Sequence, residues 1–111
     1  MAYPLRTNEQ RRDLRVGVEL PARIVIGSQL TMQGQLKDLS LKSAFISLQS
    51  KLFLQLNDEV GFAILRSQDD ISEFIYGLAR ISRIVAGEGL AIYFTKMDDV
   101  SAGRLRELLK Q

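Results

Sequence analysis

Residues 73–96 read EFIYGLARISRIVAGEGLAIYFTK. Glu73 to Val85 reads as a long strand, which Gly87-Glu88-Gly89 links to a second strand-like run from Leu90 to Lys96. A short glycine-bearing link between two such runs predicts a hairpin with a three-residue loop. Leu90, Ile92 and Phe94 then share one face. Upstream, Ser67 to Asp70 is a turn and Val60 to Arg66 is a further strand. Leu52 to Asp58 is irregular, with Asn57-Asp58 as a turn signal. Ala44 to Leu48 is a short strand, and Thr31 to Leu39 a longer one with Gly34 at a possible bend. Val16, Val18 and Leu20 alternate with Gly17 and Glu19. Pro21 interrupts them, which favours an edge or a bulge, and Ala22 to Ile26 resumes the strand before Gly27-Ser28 turns it. Downstream, Asp98 or Asp99 can cap a helix on which Val100, Leu105, Leu108 and Leu109 fall roughly on one face. Gly103 weakens that helix by about 1 kcal/mol relative to alanine. The pattern predicts an all-β-dominated fold: a six-stranded antiparallel β-barrel with a C-terminal α-helix over one opening or edge.

The chain has 111 residues, enough for one domain and its own core. We expect residues 1–10 to be a flexible arm and residues 11–111 a single domain. There is no cysteine and no histidine. Disulfides, thiolate metal sites, cysteine nucleophiles and serine–histidine triads are thereby excluded. No metal, cofactor or enzymatic activity is expected. Asp69-Asp70 and Asp98-Asp99 lack companion ligands and read as a turn and a helix cap. The longest apolar run, around Val60 to Leu65, is far short of the ~20 residues of a membrane helix. Residues 1–10 have no apolar core of a signal peptide, so a cytoplasmic location is expected.

Fifteen Lys+Arg against thirteen Asp+Glu leave a net charge of only +2. That balance argues against nonspecific coating of nucleic acid or membrane. Up to Val16 there are four arginines and two acids, so this segment formally carries the whole excess. Arg11, Arg12 and Arg15 form its densest part. A second polar group, Asp38-x-Ser40-x-x-Ser43, closes the second long strand. In a small barrel the start of the first strand can lie beside the end of the next, which would join the two segments into one site on the outer surface.

Arg11, Arg12 and Arg15, followed about two dozen residues later by Asp38 and Ser40, resemble the signature of the PilZ domain family, bacterial receptors for cyclic di-GMP. Gly89-Leu90-Ala91-Ile92-Tyr93-Phe94 is similar to the family's later glycine-to-phenylalanine strand, and the resemblance runs from Arg11 to Lys110. It implies a ligand-binding site of Arg11, Arg12, Arg15, Asp38, Ser40 and Ser43. Asp38 would accept hydrogen bonds from a guanine edge and Ser40 would help shape the site. The arginines would take phosphates and the other guanine edge through their planar forks. The function implied is a non-enzymatic receptor or adaptor that signals through an unidentified protein partner. The chain departs from the family pattern at Ser43, where glycine is usual. If that position needs positive φ, serine there costs roughly 1–2 kcal/mol.

Other readings remain open. A degenerate member of the family would have lost the ligand and act only through protein contacts. A small barrel could instead bind single-stranded nucleic acid, although aromatic platforms in a basic groove are then expected and tryptophan is absent. Arg11, Arg12 and Arg15 could be a solvated arm, and Asp38 and Ser40 could cap a turn. Arg80 and Arg83 read as solvent-facing strand positions, either of which could line the site. Tyr76 and Tyr93 read as packing residues.

Overall fold

The computed structural model describes residues 16–27, 30–48, 54–67, 69 and 73–110. The arm of residues 1–10 and Arg11, Arg12 and Arg15 lie outside the described residues. The strands are β1 (Val16–Ile26), β2 (Leu30–Leu39), β3 (Ser43–Leu48), β4 (Glu59–Leu65), β5 (Glu73–Val85) and β6 (Gly89–Met97). One helix, α1 (Asp99–Leu109), follows. All ladders are antiparallel, and the order β1-β2-β3-β6-β5-β4 closes into a barrel.

Alternation along each strand explains the closure. Ile24, Leu36, Ile46, Ile64, Ile75, Ile81 and Ile92 point inward and are fully buried. Phe62 and Phe94 stack inside with ring centroids 4.9 Å apart. Two glycines mark close strand approach. A Cβ on Gly34 would meet the Ser47 carbonyl and the Leu48 side chain, and one on Gly89 would meet the Ile46 carbonyl. Gly34 therefore serves contact with β3, and the irregularity of β2 falls at Lys37 instead.

Pro21 does not end a strand. β1 is continuous, with its bulge between Gly17 and Leu20 and its ladder to β4 starting at Ala22. Pro21 thus sits one residue before that ladder begins, where its missing N–H costs least.

α1 packs against β5 at the barrel end that holds the β2–β3 turn. Asp98 caps it, its Oδ1 accepting from the Ser101 N–H at 2.7 Å. The hydrogen bonds from Ser101 N–H and the Tyr76 hydroxyl hold the Asp98 carboxyl below its ordinary range. β6 pairs no further along β5 than Gly77. Beyond that point Ser101 Oγ accepts from the Tyr76 N–H at 3.1 Å, and Arg104 donates to the Phe74 carbonyl at 2.8 Å. Helix side chains thus satisfy the strand edge that β6 leaves open. Leu105 enters the core, with Leu108 and Leu109 partly buried beside it. Val100 is 60% exposed, contrary to the expectation from sequence. Five helical steps put it about 140° around the axis from Leu105.

Candidate functional site

Two strand irregularities define one groove on the outer surface. In the β2–β3 ladder, Leu36 pairs with Ile46 and Asp38 with Phe45, so Lys37 is the extra residue of a bulge. In the β5–β6 ladder, Ile81 pairs with Ile92 and Arg83 with Ala91, so Ser82 is extra there. Phe45 in turn pairs with Ala91. Each bulge sets two residues of one strand against one of its partner and turns side chains away from simple alternation. The result is a row across four strands: Asp38, Phe45, Ala91 and the pair Ser82 and Arg83. These five residues line a groove of about 320 Å³. Asp38 is half-buried and Arg83 exposed. Ser82 Oγ donates to the Ala91 carbonyl at 3.3 Å, which ties the β5 bulge to β6.

β1 begins beside this groove. Val16 pairs with Leu39 and Gly17 with Asp38. The chain that follows Arg15 therefore runs next to Asp38. Arg11, Arg12 and Arg15 themselves are outside the described residues, so their place in the site is taken up below as a proposal.

Ser40 occupies a different environment. It is 3% exposed, and its hydroxyl lies inside the β2–β3 turn. Its Oγ accepts from the backbone N–H groups of Lys42 at 3.3 Å and Ser43 at 3.1 Å, and shares a hydrogen bond with Ser43 Oγ at 3.1 Å. Its own N–H donates to the Ser43 carbonyl at 2.8 Å. This is a side chain standing in for a turn's backbone acceptor. It fixes the angle between β2, which carries Asp38, and β3, which carries Phe45. The Lys42 carbonyl accepts from the Phe94 N–H at 2.8 Å and anchors the same turn to β6.

The expectation of a strained Ser43 is corrected. Ser43 is the first residue of β3 and pairs with Tyr93. Among the described residues the non-glycine with positive φ is Asn57, at 71°. An extended backbone admits any side chain, so serine at 43 carries no left-handed penalty.

The tyrosines also differ from expectation. Tyr76 is 43% and Tyr93 49% exposed, so neither is a packing residue. Tyr93 stands outward between Ser43 and Arg80, while the Arg80 guanidinium donates to the Asn57 carbonyl at 2.8 Å. Arg83 is the strand arginine that lines the groove. Phe45, Ser82 and Ala91 are the lining residues that sequence reading missed. The available signal was Ala44-Phe45-Ile46, three apolar residues in a short alternating strand, one of which must face outward.

The family model of the PilZ domain matches residues 9–111. The chain belongs to the PilZ domain family. This PilZ domain is similar in fold to the PilZ domain with c-di-GMP of YcgR from Escherichia coli, with TM-score 0.69 and 18% identity over 91% of this chain and 89% of that one. It is similar to the PilZ domain of CeSA from a cellulose-synthesizing bacterium, with TM-score 0.65 and 20% identity over 87% and 95% of the two chains. It is also similar to the Bacillus subtilis inhibitor of motility MotI/DgrA, with TM-score 0.69 and 16% identity over 92% of this chain. It spans 53% of the MotI/DgrA chain. No curated protein matches the sequence. Among the described residues of the PilZ domain, no helix is long and apolar enough to cross a membrane.

Proposed function

We propose that this PilZ domain is a non-enzymatic receptor for cyclic di-GMP that signals through a protein partner. The observation that carries the reading is the pairing of Gly17 with Asp38. It brings the chain just after Arg11-Arg12-Asp13-Leu14-Arg15 to a groove with a carboxylate on one side and a guanidinium on the other. Guanine presents N1–H and N2–H donors on one edge and O6 and N7 acceptors on another. Asp38, an acceptor-only group, suits the first edge, and the fork of Arg83 suits the second. Phe45 offers an apolar wall to the ring. Arg11, Arg12 and Arg15 take the phosphates, and the segment that carries them orders as it wraps the ligand. The change at that segment is what a protein partner reads. Ser40 and Ser43 act one step back, by holding the turn between Asp38 and Phe45. The extended backbone at Ser43 removes backbone strain as an objection to serine there, which supports the receptor over the degenerate adaptor.

Arg11→Ala and Arg15→Ala test this reading. Loss of a charge-assisted, bidentate contact costs roughly 1.5–3 kcal/mol, at least tenfold in affinity. We expect each variant to weaken cyclic di-GMP by at least that factor in a calorimetric titration, with the Tm unchanged. Equal affinity of the wild type and both variants would remove these arginines from the site.

A further inference from the structure

A second groove, of about 470 Å³, shares Phe45 as a wall. Its other lining residues are Lys37, Ser47, Leu48, Gly87 and Glu88. Both grooves fall within the roughly 300–1,000 Å³ of small-molecule sites. The bulge in β2 explains the division: consecutive residues Lys37 and Asp38 both stand opposite Phe45, and each lines a different groove. The two grooves then repeat one chemistry. The first has the carboxylate of Asp38, the cation of Arg83 and the hydroxyl of Ser82. The second has the carboxylate of Glu88, the cation of Lys37 and the hydroxyl of Ser47.

We propose that the groove of Glu88, Lys37 and Ser47 is a second subsite for a guanine base. The inference rests on the receptor reading and extends it to the groove on the other side of Phe45, which Asp38 does not line. The Glu88 carboxylate accepts the N1–H and N2–H of guanine. Adenine presents a lone pair at N1 to the same carboxylate and is repelled. The Glu88 backbone is held on both sides, its N–H donating to the Val85 carbonyl at 3.0 Å and its carbonyl accepting from the Leu48 N–H at 3.0 Å. The exposed carboxylate thus hangs from a rigid turn. Gly87 beside it takes φ of 79°, a left-handed conformation that glycine adopts without strain, and the turn keeps its shape there. Lys37 Nζ is 3.3 Å from Glu19 Oε2, and both side chains are well exposed. Such a pair is weak, so a ligand oxygen can take the ammonium from Glu19. The base is either the second one of a cyclic dinucleotide seated at Asp38 or that of a separate guanine nucleotide.

Amide chemical shifts of the ¹⁵N-labelled chain distinguish these cases, with cyclic di-GMP, cyclic di-AMP and 5′-GMP as probes. We expect cyclic di-GMP to shift the amides of Ser47, Gly87 and Glu88 together with those of Asp38 and Arg83, and cyclic di-AMP to leave Gly87 and Glu88 unmoved. Glu88→Gln is expected to weaken cyclic di-GMP five- to tenfold at unchanged Tm. Shifts confined to Asp38 and Arg83, with full affinity in Glu88→Gln, overturn the second subsite and leave the receptor reading standing. Equal shifts at Gly87 and Glu88 with cyclic di-AMP overturn the guanine assignment. If cyclic di-GMP moves neither groove, the receptor reading fails, and millimolar 5′-GMP then decides. Shifts at Gly87 and Glu88 that vanish in Glu88→Gln support a separate guanine site, and their absence overturns it.

Discussion

Replacing Ser40 by alanine separates a turn-holding role from direct ligand contact. The hydroxyl accepts from two backbone N–H groups, those of Lys42 and Ser43, and is shared with Ser43 Oγ. Lys42 is exposed, and water can satisfy its N–H once the hydroxyl is gone. Ser43 is half-buried and its N–H has no such easy substitute. A buried donor left unsatisfied costs about 1–3 kcal/mol, and the partial exposure of this turn places the loss at about 1–2 kcal/mol. For a domain of this size each 1 kcal/mol moves Tm by roughly 4–8 °C, so we expect a fall of roughly 4–16 °C. Thermal melting followed by circular dichroism reads this directly. Affinity for cyclic di-GMP, titrated well below the lowered Tm, should fall several-fold because the turn that aligns Asp38 with Phe45 loosens. An unchanged Tm with abolished binding would refute the reasoning and make Ser40 a ligand contact instead.

Ser43→Gly should lower the Tm by roughly 2–8 °C, since glycine within a strand costs about 0.5–1 kcal/mol and the contact with Ser40 is lost. A higher Tm would show that the backbone at 43 is strained after all. Stability should also fall in acid as α1 loses its cap. The Asp98 carboxyl titrates below its ordinary value when folded, so its contribution is complete above the unfolded-state pKa and is lost as pH falls through the folded one. Asp98→Asn should keep most of the cap but flatten this part of the Tm profile, and an acid profile identical to the wild type would exclude Asp98 as its source.

Much of the barrel is legible because its strands obey simple alternation. β5 and β6 announce themselves through two apolar-rich, strand-like runs joined by a glycine-bearing link, and the pairing of Val85 with Gly89 bears out the hairpin, with Gly89 already the first residue of β6. The neighbourhood of Gly17 and Asp38 follows from antiparallel order alone. The groove is harder to read because it is built from violations of that order. A period of two cannot announce the extra residues Lys37 and Ser82, since a bulge exists only relative to a partner strand. Alternation alone therefore gives no reason to set Arg83 beside Asp38, or to send Lys37 and Asp38 into separate grooves. Ser40 and Ser43 form a related case. The motif match counts both among the site residues and the turn-forming habit of serine offers a cap instead, but only the structure shows their hydroxyls facing each other inside the turn. Tyr93 and Val100 show the remaining limit: apolar character suggests burial, but Tyr93 takes an outward position on β6 and Val100 lies on the side of α1 turned away from Leu105, so both are exposed.

A calorimetric titration of wild type and Asp38→Ala with cyclic di-GMP, at low and moderate salt, tests the receptor function most directly. We expect saturable binding by the wild type that weakens with salt, as contacts from arginines to phosphates require. The same titration should show at least a tenfold loss in Asp38→Ala, from the roughly 1.5–3 kcal/mol of its charge-assisted contact with the guanine edge. No heat of binding from the folded wild type at either salt, or equal affinity in Asp38→Ala, would contradict the assignment of this groove to cyclic di-GMP.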